Sequence, residues 1–322
     1  MAAMGATQTI AATYGVIGAA SIAGNATFCF LLYNKPFLLK KPHNILLLTL
    51  ATADLLTGAT IFATPLFRII RIPHLAGPAG YFFCHFFGNS FLVFYFGKVS
   101  ILIVLLLSLE RWCSVIKPFK YKVLFSRKRL LLYILCIIVS SVLMHAFNIF
   151  RVKFENNTCE TVKLGKKRQR ALVLTNVTIT FVLPALITWA SFIHILYRIK
   201  NTPSVSGITQ HPRQQQKLLL RMCVITAAVL TGCWFPSQIC FVLINFGIIQ
   251  VTDVGVKISL VLSMFNSTVN PWIYFLSNKE YRKYSLSLSF ICKPTATVSP
   301  ERTVLEVESH LDQANPLKIV QP

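Results

Sequence analysis

The stretch ILIVLLLSLERWCSVIKPFKYK, residues 101–122, opens as an almost unbroken apolar run. It then meets an adjacent acid and base, Glu110 and Arg111, and turns strongly basic. Followed upstream, the apolar run starts near residue 86. As a helix rising about 1.5 Å per residue, it is long enough to cross a hydrocarbon core of about 30 Å. Runs of similar length recur at 12–33, 44–67, 130–150, 171–197, 218–246 and 254–275, giving seven in all. They are continuous and lack the two-residue alternation of a membrane barrel, which excludes strands. Composition agrees. The 322 residues are 54% hydrophobic and 13% charged, with a mean hydropathy of +0.61, whereas soluble domains carry roughly a quarter charged residues. The sequence therefore predicts an all-α membrane protein, a seven-helix bundle. Its expected parts are a short N-terminus (1–11), a membrane domain (12–276), an amphipathic interfacial helix (277–292) and a polar, disordered tail (293–322).

The net charge of +22 does not point to nucleic acid, because of where it lies. Residues 1–34 are uncharged, while Lys35, Lys40 and Lys41 follow the first run and Lys117, Lys120, Lys122, Arg127, Lys128 and Arg129 follow the third. The positive-inside rule makes these loops cytoplasmic, so the N-terminus is expected outside the plasma membrane and the tail inside. A second basic group, Lys163, Lys166, Lys167, Arg168 and Arg170, falls in the fourth loop between spans, on the outer side. Cys84 and Cys159 are the two cysteines on that oxidising side, so a disulfide is expected between them. Asn156 begins a sequon in the same loop. The matching triplets at Asn25, Asn176 and Asn266 lie within spans.

Ionisable groups inside a membrane are costly and mark function. Asp54 and Glu110 are the only acids in the spans. Asp54 sits halfway along the second, where Ser100, Asn266, Ser267 and Asn270 offer oxygens for a bound cation. Lys98 lies in the third span, thirteen residues before Arg111, with no obvious counter-ion. Pro236 and Pro271 interrupt the sixth and seventh spans, where each removes a backbone donor and favours a kink.

Taken in order, these residues resemble the rhodopsin-like G-protein-coupled receptors. Gly24-Asn25, Leu50 to Asp54, Glu110-Arg111-Trp112 with Pro118, Phe119 and Tyr121, Pro184, Cys233-Trp234-Phe235-Pro236, and Asn270-Pro271-Trp272-Ile273-Tyr274 each fall on the span where that family carries its motif. The resemblance implies a receptor, not an enzyme. An extracellular ligand would bind near Val93, Lys98, Trp234, Leu260 and Met264. Trp234 and Pro236 would form a toggle, and Asp54, Ser100, Ser267 and Asn270 would hold an allosteric sodium ion, with no other cofactor. It further implies that Glu110 holds Arg111 until the sixth helix swings outward. A heterotrimeric G protein then inserts, with Phe119 in a pocket beside it and Asn270, Pro271 and Tyr274 completing the switch. Arrestin and receptor kinases are expected at the tail, membrane lipids around the basic loops, and palmitoylation at Cys292. Val93 in place of an acid argues against amine ligands, and Met264 in place of a lysine argues against retinal, leaving a peptide or small acidic molecule. A seven-helix transporter or channel is the alternative. It would show duplicated halves and broken helices at matching positions, and the sequence shows neither.

Overall fold

The computed structural model describes residues 2–67, 69, 76–150, 152–155, 158–162, 165–201 and 210–284. Among them run α1 (Ala2–Asn34), α2 (Pro42–Ala63), α3 (Gly77–Phe83), α4 (Phe91–Ile116), α5 (Pro118–Leu124), α6 (Arg127–Phe150), α7 (Lys166–Val177), α8 (Leu183–Asn201), α9 (Gln210–Phe246) and α10 (Val254–Ser277). A π-turn at Thr178–Val182 joins α7 to α8 in one span. The seven spans are thus α1, α2, α4, α6, α7–α8, α9 and α10. Sequence chemistry sets several boundaries. Pro42 and Pro118 open α2 and α5, where a missing N–H costs nothing. Gly247, at φ +77, closes α9. Its N–H bonds to Ile244 O and that of Ile248 to Leu243 O, both at 3.0 Å, the double closure that favours glycine.

Among the described residues, six helices are long and apolar enough to cross a membrane. The seventh span, α10, has the length, at 24 residues, but is diluted by Ser259, Ser263, Asn266, Ser267, Thr268 and Asn270. All six are buried, so the polar face of α10 turns toward its neighbours rather than toward lipid.

The third span begins and ends later than the apolar run suggests. A π-turn, Cys84–Gly88, precedes it, and α4 continues past Glu110 and Arg111 to Ile116. Two opposite charges that satisfy each other need not end a helix. α1 likewise starts at Ala2 rather than near residue 12, since no charged residue and no proline precedes that point. The loop after α6 adds an antiparallel hairpin to the helical bundle, β1 (Val152–Glu155) with β2 (Thr158–Thr161). Cys159 on β2 is bonded to Cys84, with Cα atoms 5.7 Å apart.

α4 packs against α2, α5, α6, α8 and α9. It buries Lys98, Ser100, Glu110 and Arg111 on the way. Residues 279–284 form a further helical turn. Tyr281 lies in the stretch expected to form an amphipathic interfacial helix, yet it is 1% exposed. Its hydroxyl donates to Asn44 Oδ1, and its ring meets Phe28 edge-on at 5.3 Å. A phenol with a buried acceptor is better placed under the bundle than at an interface. Burial also pushes the Tyr281 phenol above its ordinary range.

Candidate functional site

Three polar stations lie along α4. The first is a cavity of about 260 Å³ lined by Lys98 and Phe94 of α4, Asn176 of α7, Trp234 and Phe241 of α9, and Leu260 of α10. Lys98 is 9% exposed and its Nζ donates to Asn176 Oδ1 at 3.3 Å. Asn176 Nδ2 in turn donates to Met144 O at 3.1 Å, which fixes the amide oxygen toward the lysine. Among the described residues no Asp or Glu lies in ion-pair range of Lys98. Trp234 is buried, and no hydrogen-bond partner is present for its Nε1 among the described residues. Its six-membered ring lies on the backbone of Gly97, so close that a Cβ there would overlap the ring.

Lower down, Asp54 is fully buried. Ser100 Oγ donates to its Oδ1 at 2.9 Å and Asn270 Nδ2 to its Oδ2 at 2.7 Å, with Ser267 in hydrogen-bonding reach. Asn25 joins α1 to this layer by donating to Ser267 O at 2.8 Å. Asn270 Oδ1, both polar side-chain atoms of Asn266 and the Tyr274 hydroxyl are buried without a partner among the described residues. No basic side chain pairs with Asp54 among them. A carboxylate, hydroxyls and an orphaned amide oxygen are the hard donors that suit a small hard cation, so the residues present fit sodium.

The third station is the end of α4. Glu110 and Arg111 are adjacent and both buried, and Arg111 donates to Glu110 through Nε and Nη2, one bond to each carboxylate oxygen. Tyr121 of α5 donates to Glu110 Oε1 at 2.5 Å, and Arg111 Nη2 also donates to His43 Nδ1 at 3.4 Å. Burial, and then the Glu110 carboxylate beside it, push the Tyr121 phenol above its ordinary range, so it remains a donor at neutral pH. Phe119, two residues earlier on α5, is 96% exposed.

The sequence profile of the seven-transmembrane receptors (rhodopsin family) matches residues 24–274, a stretch that contains all three stations. The chain belongs to that family. The receptor is 27% identical to the type-1 angiotensin II receptor B of Rattus norvegicus over 88% of its own length and 81% of the relative's. It is 25% identical to the allatostatin-A receptor of Bombyx mori over 84% and 76%. Against the histamine H2 receptor of Rattus norvegicus it is 25% identical over 90% and 81%. It is therefore a multi-pass membrane receptor of the G-protein-coupled class and not an enzyme.

Of the five residues expected around the ligand, Lys98, Trp234 and Leu260 line the receptor's cavity, but Val93 and Met264 do not. Both are 0% exposed, and helix rotation turns them into packing contacts. Pro236 and Pro271 lie inside unbroken helices. Trp112, expected with the switch, donates from Nε1 to His194 Nδ1 of α8 at 3.0 Å and so ties α4 to α8. Asn156, Lys163, Cys292 and the tail lie outside the described residues.

Sequence reasoning passed over His43 and Asn176. His43 carries no motif, and its signal is only that it starts a span whose neighbour ends in Arg111. Asn176 was visible as a polar residue inside a span but was read as an unused sequon. Its value depends on facing Lys98, seventy-eight residues earlier.

Proposed function

We propose that the receptor sits in the plasma membrane with its N-terminus outside and responds to an extracellular ligand bearing a carboxylate or phosphate, either a peptide or a small acidic molecule. Lys98 is the observation that carries this reading. A buried ammonium lining a largely apolar cavity, held among the described residues by one neutral amide, lacks the anion that would offset its desolvation. An acidic ligand supplies that anion. The exposed Lys166, Lys167, Arg168 and Arg170 would draw such a ligand in by long-range attraction.

Trp234 lines this cavity two residues before Pro236 in α9. Pro236 has no N–H to give, so the turn around it is a weak point about which the lower half of α9 can swing outward. That swing would release Arg111 from Glu110 to meet a G protein, with exposed Phe119 entering a pocket beside it. Asn270, Pro271 and Tyr274 would relay the change through α10. Asp54, Ser100, Ser267 and Asn270 would hold a sodium ion, which supplies a positive charge to the polar layer and favours the resting arrangement. Arrestin and receptor kinases would act on the tail, Asn156 would carry a glycan and Cys292 a palmitoyl group.

The test expresses the full chain with a G-protein dissociation reporter and screens carboxylate- and phosphate-bearing small molecules and short acidic peptides. The hits are then repeated on Lys98→Ala and Lys98→Arg. An acidic agonist whose potency collapses in Lys98→Ala, at normal surface expression, is the expected result. Partial recovery should follow in Lys98→Arg, because a planar fork does not match a site shaped for a compact charge. Activation only by uncharged ligands, or potency untouched by Lys98→Ala, would overturn it.

A further inference from the structure

On the outer face of the bundle a second, larger recess of about 460 Å³ opens between α4, α5 and α6. Leu105, Leu109 and Trp112 form one wall, Tyr133 and Ile137 the other, and Phe125 closes the end. The lining is almost wholly apolar. α6, which forms one side, is the least buried of the candidate spans, at 22% of its window against 67% for the span containing α4. Leu131, Leu132, Leu135 and Ile138 of α6 are exposed large apolar side chains. In a membrane-spanning bundle that surface is bathed in acyl chains, so the recess opens to lipid and not to water.

Its rim carries charge of one sign. Lys117 Nζ lies 5.0 Å from the centroid of the Trp112 ring, on one wall of the recess. Arg129 Nη1 donates to Val123 O at 3.2 Å, beside Leu124 and Phe125 at its end. Lys120, Lys122, Arg127 and Lys128 flank these two, and no acidic residue occurs between Glu110 and Glu155. Glu110 itself is buried and bonded to Arg111. An apolar slot ending under basic groups that pair with no acid among the described residues matches one chemistry, a hydrocarbon chain ending in an anion. A sterol would place only a hydroxyl at that rim and leave its charge unanswered.

We propose that this recess binds an anionic phospholipid, its acyl chain between α4 and α6 and its phosphate met by Lys117 and Arg129. The site is separate from the Lys98 cavity and does not depend on the ligand assigned there. It adjoins the Arg111 station, because Phe125 stacks on Tyr121 at 5.7 Å and Tyr121 bonds to Glu110. A chain packed on Phe125 would steady the ring that braces Glu110.

The full chain is reconstituted in nanodiscs of phosphatidylcholine containing a trace of diazirine-acyl phosphatidylglycerol or diazirine-acyl phosphatidylcholine, and the adducts are mapped after irradiation. The phosphatidylglycerol probe is expected to concentrate on Leu105, Leu109, Cys136 and Ile137, while Leu186, an exposed residue of α8, receives both probes equally. Arg129→Gln and Lys117→Gln should each cut the preference about fivefold, as expected for one basic residue near an anionic lipid. Ile137→Trp, which fills the slot from its lipid-facing side, should remove groove adducts while leaving those at Leu186. Equal labelling of the groove by both probes would overturn the proposal. So would displacement of the phosphatidylglycerol probe by cholesterol, or protection of the groove by a Cys136–Cys136 crosslink between two copies.

Discussion

Two buried cations share α4, and the chain treats them in opposite ways. Arg111 is given a charged partner and a polar one, with both oxygens of Glu110, the ring nitrogen of His43, and Tyr121 bracing the carboxylate. Lys98 is given one neutral amide oxygen, at 3.3 Å. A bidentate, charge-assisted pair is among the stronger contacts a protein makes, so the Arg111 station is at rest until something pulls it apart. A buried ammonium facing only an amide among the described residues is under-satisfied, which is the imbalance the proposed acidic ligand would relieve. Under the proposed function, one station would store the switch and the other would receive its trigger, while Trp234 and Pro236 lie on a different helix, α9.

The comparison breaks most sharply if Arg111 is made to resemble Lys98. Glu110→Gln leaves Arg111 with only neutral partners in a buried site, and removing one member of a buried pair costs about 3–5 kcal/mol. The thermal unfolding temperature of purified receptor should fall markedly, and basal nucleotide exchange on a G protein should rise. An unchanged melting temperature with wild-type basal exchange would show that the clamp holds nothing. The converse change gives Lys98 a resident anion. Asn176→Asp places a carboxylate where the amide oxygen now sits, so an acidic agonist must displace an internal partner. Its potency should drop by about 2 kcal/mol or more, roughly thirtyfold, with unchanged surface expression. Equal or improved potency would mean that the lysine does not receive the ligand.

Asp54 is the anionic counterpart of Lys98, a buried charge with hydroxyl and amide neighbours and no ionic partner among the described residues. Asp54→Ala should abolish the effect of sodium on agonist affinity, a coupling expected at about 1–3 kcal/mol. A sodium response that survives in the mutant removes the ion from Asp54. The smallest effect is expected at the foot of α9, where Gln216 offers no carboxylate to Arg111. Gln216 is exposed, and a solvent-exposed ion pair is worth about 0–1 kcal/mol. Gln216→Glu should therefore lower basal signalling by at most a few-fold, read as reporter output without agonist. A complete loss of basal signalling would instead place residue 216 inside the clamp.

The sequence made the spans legible because continuous apolar runs need no knowledge of packing, and its motifs named Glu110, Arg111, Trp234 and Asp54 in advance. The bond between Cys84 and Cys159 was readable from topology alone. What escaped depends on how each helix is rotated about its axis. Asn176 and Met264 are equally plain inside their spans, yet one meets Lys98 and the other is sealed in packing. His43 meets Arg111 only because α2 begins where the clamp of α4 lies. Tyr281 reads as interfacial until Asn44 is found beneath it. The hairpin at Val152–Thr161 follows from a loop held by its disulfide, and its strands are too short for their alternation to stand out.

The contact between Gly97 and Trp234 has an evolutionary consequence. Every single-base change that replaces a glycine brings a Cβ, and at residue 97 that atom lands in the indole. Gly232, on the helix that carries Trp234, has nothing within 4 Å of the same added atom. Two glycines that look alike in the sequence thus face unequal selection. Position 232 is free to drift toward better helix formers, whereas position 97 is held for as long as lineages keep a tryptophan at 234, so glycine 97 should be lost only where residue 234 has also changed.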